Sequence, residues 1–507
     1  MSQSIFSKYK YLAPLLAMLT AALIWLLWVM NPVSNINGPS GVPDKERPST
    51  RQIYYGPRHS IAILPFIDTS PDNDQAFLSD GLSAELIDLF TQIQGLQVSS
   101  HTSSLFFRDP AADVSVIGQR LRTSQLLLGE VQMQSGQLLL GVRLWNTRQN
   151  REIWASEYRI GIAGVFGWQE ELVETVLAEL NFGVPAELPA ARPVVSDAWL
   201  DYLRGRWLSE QRSAELLPEA QGALRKAIDI EAEYEKALLR LAESQLAASL
   251  NGIPFESETA RATLNRLLSI NPDYAPGLGL LSYVQRNLDW EWEAAAESAR
   301  RAVDLRPGSA DLLSTLSLAL FTLGRFDEAE VHLRASIERD PLNLHRRLRL
   351  GLLQEFSGQF DDSLSTYRQI MSMNPDYPGL HAYRARVKVL QDKPESALEE
   401  SEKESDPFWS LYARILALEA MGRDDEVIPL LEQKMEESGG KAAYQVAEIM
   451  AFRGDPDSSF EWLRRAQDQR DGGMAELLGN AFLEPLHSDT RWTALLAELG
   501  LPLDAGD

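Results

Sequence analysis

At 507 residues the chain exceeds what one hydrophobic core organises, so two or more folded units are expected. Its 72 acidic residues against 48 lysines and arginines give a formal net charge of -24, which repels phosphate backbones and disfavours direct nucleic-acid binding. The absence of cysteine excludes disulfides, thiolate zinc sites and cysteine nucleophiles.

Residues 1–10 read as a short cytoplasmic tail and residues 11–31 as one N-terminal transmembrane helix. The run YLAPLLAMLTAALIWLLWVM carries no charge and is long enough to cross the hydrocarbon core. Trp25 and Trp28 lie toward its far end, Lys8 and Lys10 precede it, and no A-x-A cleavage pattern follows. An uncleaved anchor with its amino terminus inside is the expectation. Residues 32–58 hold Pro32, Pro39, Pro43, Pro48 and Pro57 among Ser, Asn and Gly and read as a linker.

Residues 59–183 change character. SIAILPF reads as a strand ended by Pro65, and Asp80 as the cap of a helix with Leu82, Leu86, Leu89 and Ile93 on one face. LQVSS reads as a strand and Asp113 to Arg122 as a short helix. SQLLLGEVQMQ and QLLLGVRLWNT, separated by Ser135-Gly136, read as a hairpin. REIWASEYRI adds a strand and GVFGWQEELVETVLAEL a closing helix, so the expected fold is a small mixed-sheet α/β domain.

Beyond it, Pro272, Pro307, Pro341 and Pro375 recur at spacings of 35, 34 and 34 residues, and Pro407 follows after 32. A period of this length means one supersecondary unit copied in series. Within two successive units Gly324-x-Phe326 and Gly358-x-Phe360 mark the turn, Ala329 and Ser363 the small residue, and Pro341 and Pro375 the stop. The expectation is an all-α solenoid: divergent helices over 196–275, repeats over 276–471 with regular units at 276–309, 310–343 and 344–377, and a C-terminal helical cap over 472–507.

TLGRFDEAEVHLRASIERDP and EFSGQFDDSLSTYRQIMSMNP resemble second halves of tetratricopeptide (TPR) repeats. IAILPF, FLSDGLSAELIDLF and LLLGEVQMQSGQLLLGVRLWNTRQNREIWASEY resemble the TolB-N-terminal-like, FlgO-like domain of bacterial envelope proteins. The combination is similar to the periplasmic part of ToxR-type winged-helix regulators and of TPR-containing adenylate cyclases, without their amino-terminal effector modules. The resemblance implies a single-pass bacterial inner-membrane protein with most of its chain in the periplasm, and regulation through another protein.

Catalytic signatures fail on spacing. GIAGVFG precedes a helix without the G-x-G-x-x-G arrangement, and no G-x-x-x-x-G-K-[ST], H-E-x-x-H or G-x-S-x-G occurs. The six histidines show no i, i+4 pair. No catalytic residue, metal or cofactor is expected, and the chain reads as non-enzymatic. What remains is the face of the first helices, a candidate groove for a protein or peptide partner lined by Leu280, Val284, Asn287, Leu318, Phe321, Leu352, Phe356, Arg386, Trp409 and Tyr412. An apolar partner segment, or the chain's own α/β domain, is the expected occupant. The function read from this is a membrane-anchored periplasmic interaction scaffold in envelope signalling or assembly. The alternative is a small-ligand- or nucleotide-binding sensory domain, resting on the compact sheet and the loop from His101 to Asp109.

Overall fold

The computed structural model describes residues 57–70, 75–108, 113–183, 194–211, 213–250, 256–437 and 442–503. The membrane span expected at residues 11–31 lies outside them, and among the described residues no helix is long and apolar enough to cross a membrane.

One mixed sheet contains β1 (Ser60–Ile63), β2 (Ile67–Asp68), β3 (Gln97–Val98), β4 (Gln125–Gln134), β5 (Gln137–Asn146) and β6 (Arg151–Gly161) in the order β3-β1-β4-β5-β6. β1 runs parallel to β3 and β4, and β4, β5 and β6 are antiparallel. Ser135 and Gly136 both have positive φ, the turn geometry whose twist suits a two-residue hairpin. β2, absent from the sequence reading, also pairs with β4 beyond β1, with Pro65 and its missing N–H in the gap between them.

Helices α1 (Ala76–Phe90), α2 (His101–Ser104), α3 (Val114–Leu121) and α4 (Val165–Glu179) flank the sheet. Strand alternation sends Ile61 and Ile63 to the core with α1 and α4, and Ala62 and Leu64 to a smaller core with Ile117 and Leu121 of α3. Asp80 does not cap α1, which starts four residues earlier. It is buried and takes a bidentate pair from Arg108 at 2.8 and 2.9 Å. The expected loop after His101 is α2 and a 3₁₀ turn, Leu105–Phe107.

The rest is helical pairs. The first five are α5 (Ser196–Glu210) with α6 (Leu217–Ile230), α7 (Glu235–Leu250) with α8 (Glu256–Ile270), α9 (Ala275–Val284) with α10 (Trp292–Leu305), α11 (Ala310–Thr322) with α12 (Phe326–Arg339), and α13 (Leu344–Phe356) with α14 (Phe360–Met373). They continue as α15 (Leu380–Leu390) with α16 (Pro394–Ser401), α17 (Pro407–Ala420) with α18 (Asp424–Glu437), and α19 (Ala443–Phe452) with α20 (Pro456–Asp468). Two 3₁₀ turns, Gly472–Glu476 and Ala481–Leu486, and α21 (Thr490–Leu499) follow. Gly324 and Gly358 take φ of 72° and 71°, the left-handed conformation that ends the first helix of a pair. The small residue lets the paired helices touch: Ser363 Oγ donates to the carbonyl of Gly351 at 2.7 Å and Ser459 Oγ to that of Ala447 at 2.8 Å.

The sheet domain is welded to these pairs. Its main core runs without a break from β4, β5, α1 and α4 into α5 through α9. At the centre of the junction the Glu85 carboxylate, 1 % exposed, accepts from Lys236 Nζ at 2.6 Å, Trp199 Nε1 at 3.0 Å and Gln169 Nε2 at 3.2 Å. Burial pushes this carboxyl up, but the Lys236 ammonium and the other donors hold it below its ordinary value. A second contact lies at the α12–α13 turn. Asp340, fully buried, accepts from the hydroxyls of Ser100 and Ser103, and Leu342 enters the smaller core of the sheet domain.

Glu85→Ala strands two buried donors and the half-buried Lys236 ammonium, and a loss of roughly 2–4 kcal/mol is expected, read as a lowered melting temperature of the full chain. Because the folded-state pKa of Glu85 lies below its unfolded value, the stabilisation is present above the unfolded pKa and is lost as pH falls through the folded one. Melting temperature therefore falls less on acidification in Glu85→Ala than in the wild type.

Candidate functional site: the trough of the helical pairs

Of the first helices of successive pairs, α9, α11, α13, α15, α17 and α19, all but α19 carry residues that the sequence assigns to a groove. The structure distributes those residues over several environments. Val284 is 1 % exposed in the core shared with the sheet domain, and Leu280 is half-buried against that core. Asn287 sits in a π turn, Gln285–Asp289, where its Nδ2 donates to the carbonyl of Tyr283 at 2.9 Å. Leu318 is half-buried. Phe321, Leu352 and Phe356 are buried together, with the Phe321 and Phe356 rings 5.1 Å apart. Trp409 lies 5.7 Å from Tyr383 and 5.9 Å from Tyr412.

Arg386 joins four of these helices. Its Nε donates to Glu355 Oε1 on α13 at 3.0 Å, and one terminal nitrogen donates to Glu448 Oε1 on α19 at 2.8 Å and to the Tyr412 hydroxyl on α17. Tyr412 in turn donates to Glu448 Oε2 at 2.9 Å. Burial pushes the guanidinium toward neutrality, but Glu355 and Glu448 hold it charged. A buried cation between two carboxylates ties the register of one pair to the next.

Most of the trough is filled by the chain's own residues 471–501, while its end at Leu280 and Val284 is covered by the core shared with the sheet domain. Asn480 Nδ2 donates to Glu448 Oε1 and to the Tyr444 hydroxyl, both at 2.7 Å, and Tyr444 donates to the backbone carbonyl of Glu476 at 3.0 Å. The Phe482 ring lies 4.7 Å from the Arg386 guanidinium. Gly479, at φ 72°, passes so close to Phe326 that an added Cβ would stand 2.4 Å from the ring. Farther along, Trp292 Nε1 donates to the carbonyl of Leu499 at 2.7 Å and Arg470 lies over the Trp290 ring. The segment therefore reaches back from the last pair to the one that begins at Ala275, well beyond an end cap.

Sequence reasoning missed Glu448, Tyr444, Glu476 and Asn480. The available signal was one acid, Glu448, on an otherwise apolar face in AYQVAEIMAF. The cation that answers it is 62 residues away. Also unread were Arg286 and Arg349. Arg286 donates to Thr322 Oγ1 at 2.8 Å, and Arg349 is pushed down to about 9 by burial and by neighbouring Arg286 and Arg346. Among the described residues no group of His, Asp and Glu is arranged to hold a metal ion.

Comparison with known proteins agrees with the pairing. Family models described as tetratricopeptide repeat match residues 236–274 and 310–341. These segments are tetratricopeptide repeats. The first falls in the stretch that the sequence reading treats as divergent. A Rhizobium meliloti (strain 1021) protein named "Putative adenylate cyclase 3" is 23% identical over 313 residues, 60% of this chain and 46% of that protein. The chain spans less than half the length of the curated relatives it matches. Among solved structures, the yeast Tom70 structure is 15% identical, covering 66% of this chain and 78% of that one with a TM-score of 0.35. YrrB, described as a TPR protein with an unusual peptide-binding site, is 20% identical, covering 39% and 98% with a TM-score of 0.31. Tetratricopeptide repeats make the chain a protein-interaction scaffold.

Glu476 lies where Glu448 and Glu355 approach it, with Arg386 and Arg286 opposing them, and burial with Glu448 raises its carboxyl to about 7. Its folded-state pKa exceeds the unfolded one, so its contribution is complete below the unfolded value and is lost as pH rises through 7. Hydrogen exchange in residues 472–486, corrected for intrinsic rates, is expected to show protection weaker at pH 8 than at pH 6 by on the order of 1–3 kcal/mol. Glu476→Gln abolishes that difference.

Proposed function

We propose that this chain is a membrane-anchored scaffold whose sheet domain and repeats lie in the periplasm of a bacterium and that it serves envelope signalling or assembly through a partner protein. The observation that carries this reading is the run of stacked helical pairs, two of them matched as tetratricopeptide repeats, with a sheet domain fixed rigidly against it. Support for the location comes from the uncharged run at Tyr11 to Met30 and from the resemblance to TolB- and FlgO-like envelope domains. The cyclase-named relative matches 60% of this chain, which supports a shared sensory or scaffolding part serving different outputs. This chain's output is then the partner it holds.

Because Asn480, Phe482 and Gly479 already satisfy the trough, the partner surface in this reading is the outer face of the pairs. Val331 on α12 is 66% exposed there and Ile428 on α18 is 48% exposed. A photo-crosslinking residue placed at Val331 or Ile428 in the native cell is expected to capture one protein that recovers the chain reciprocally, whereas the same residue at Phe356 yields only intramolecular product. Capture from Phe356 alone, or from no position, refutes the outer-face scaffold. A C-terminal reporter found in the cytosol refutes the periplasmic placement.

A further inference from the structure

Where the sheet domain meets the repeats a cleft of about 590 Å³ remains open. One wall is the strand entry at Arg58 and His59 together with the turn that follows α1, and the other is the α10–α11 turn with the last residue of α12. We propose that this cleft binds an organic phosphate that bridges the two parts of the molecule. The inference goes beyond the scaffold reading and does not depend on it.

Charge argues first. Arg58, Arg306 and Arg339 line the cleft against a single carboxylate, Asp304, in a chain whose net charge is -24. None of the three arginines enters an ion pair among the described residues, whereas nearby Arg301 and Arg325 do. Two of them are nonetheless held in place. Arg306 lies over the Tyr274 ring at 5.9 Å, and a terminal nitrogen of Arg339 donates to the Ala335 carbonyl at 2.8 Å. Burial lowers the Arg339 guanidinium, so an anion arriving there would restore what desolvation removes. Among the described residues His59 Nδ1 is buried without a hydrogen-bond partner, a further polar group in the same wall. Arginines on both walls of one cleft suit a multiply charged phosphate, because a planar guanidinium donates paired N–H bonds to its oxygens.

Size and apolar lining argue that the ligand has an organic body. The volume falls within the roughly 300–1,000 Å³ range of small-molecule sites. Beside the arginines, Ile93 and Leu96 supply buried apolar surface, and Leu305 is 43% exposed. Inorganic phosphate would leave this part unfilled.

The walls are set by direct contacts beside the cleft. Gln97 Nε2 donates to the Glu338 carbonyl at 3.3 Å and Ser100 N to that of Arg339 at 3.1 Å. Gly308 lies where a Cβ would stand 2.9 Å from the Thr91 carbonyl oxygen. A ligand touching Arg58 on one side and Arg306 and Arg339 on the other therefore tightens the seam between sheet and repeats, giving the scaffold an input.

Isothermal titration of the full chain with ATP, pyrophosphate, inorganic phosphate and citrate tests this. Saturable binding of ATP is expected, tighter than that of inorganic phosphate or citrate and weakened at least about tenfold in Arg306→Glu and in the milder Arg339→Gln. Arg491→Glu, a charge change on the exposed surface of α21, should leave it unaltered. Melting of the unliganded variants confirms that each is folded. No saturable binding of ATP, equal binding of citrate or of inorganic phosphate, or equal loss in Arg491→Glu overturns the proposal.

Discussion

A guanidinium removed from water must be met by carboxylates, and Arg386 is met by two, one on α13 and one on α19, with the Tyr412 hydroxyl between them. Those helices belong to pairs that contribute Glu355 and Glu448 from either side of the one that carries the arginine. Breaking one partner leaves a buried charge unanswered, so the arrangement resists relative sliding of the pairs more than apolar contacts alone. Its remaining valence fixes the C-terminal segment: Asn480 reaches Glu448, and Phe482 covers the guanidinium. The trough and its filling are thus parts of one polar network, and this explains why a concave face of TPR pairs is occupied by its own chain.

The same logic unites the sheet domain with the repeats. Glu85 and Asp340 are carboxylates with almost no exposure, and each accepts across the seam from groups far away in the chain, Asp340 holding Asn343 and Arg346 of its own turn as well. Apolar packing runs through the first seam without interruption. A polar bond is directional where a hydrophobic contact is not, so these carboxylates select one docking orientation among the many that burial alone would tolerate. A scaffold built this way presents its outer face and its interdomain cleft in a fixed relation.

Several features were legible because their causes are local. Ser135-Gly136 between two alternating runs yields the hairpin, and Gly324 and Gly358 with prolines 34 residues apart yield the helical pairs. Asp80 shows where local reading fails. In sequence it stands like a helix cap, but the helix begins at Ala76 and the carboxylate pairs with Arg108, 28 residues away. The candidate row from Leu280 to Tyr412 lies on first helices apart from Asn287, in the π turn after α9, and it is divided among separate cores because the sheet domain covers one end and residues 471–501 another.

By itself the sequence determined the repeat period, the hairpin and the presence of a mixed sheet, since each rests on contacts between residues a few positions apart or on the periodicity of one segment. Only the tertiary structure decided what occupies the trough, which surface stays exposed, and which arginines line the interdomain cleft. Those outcomes depend on which distant donor meets which buried acceptor, and a lone Glu448 or Arg386 in a helical pattern carries no record of its partner.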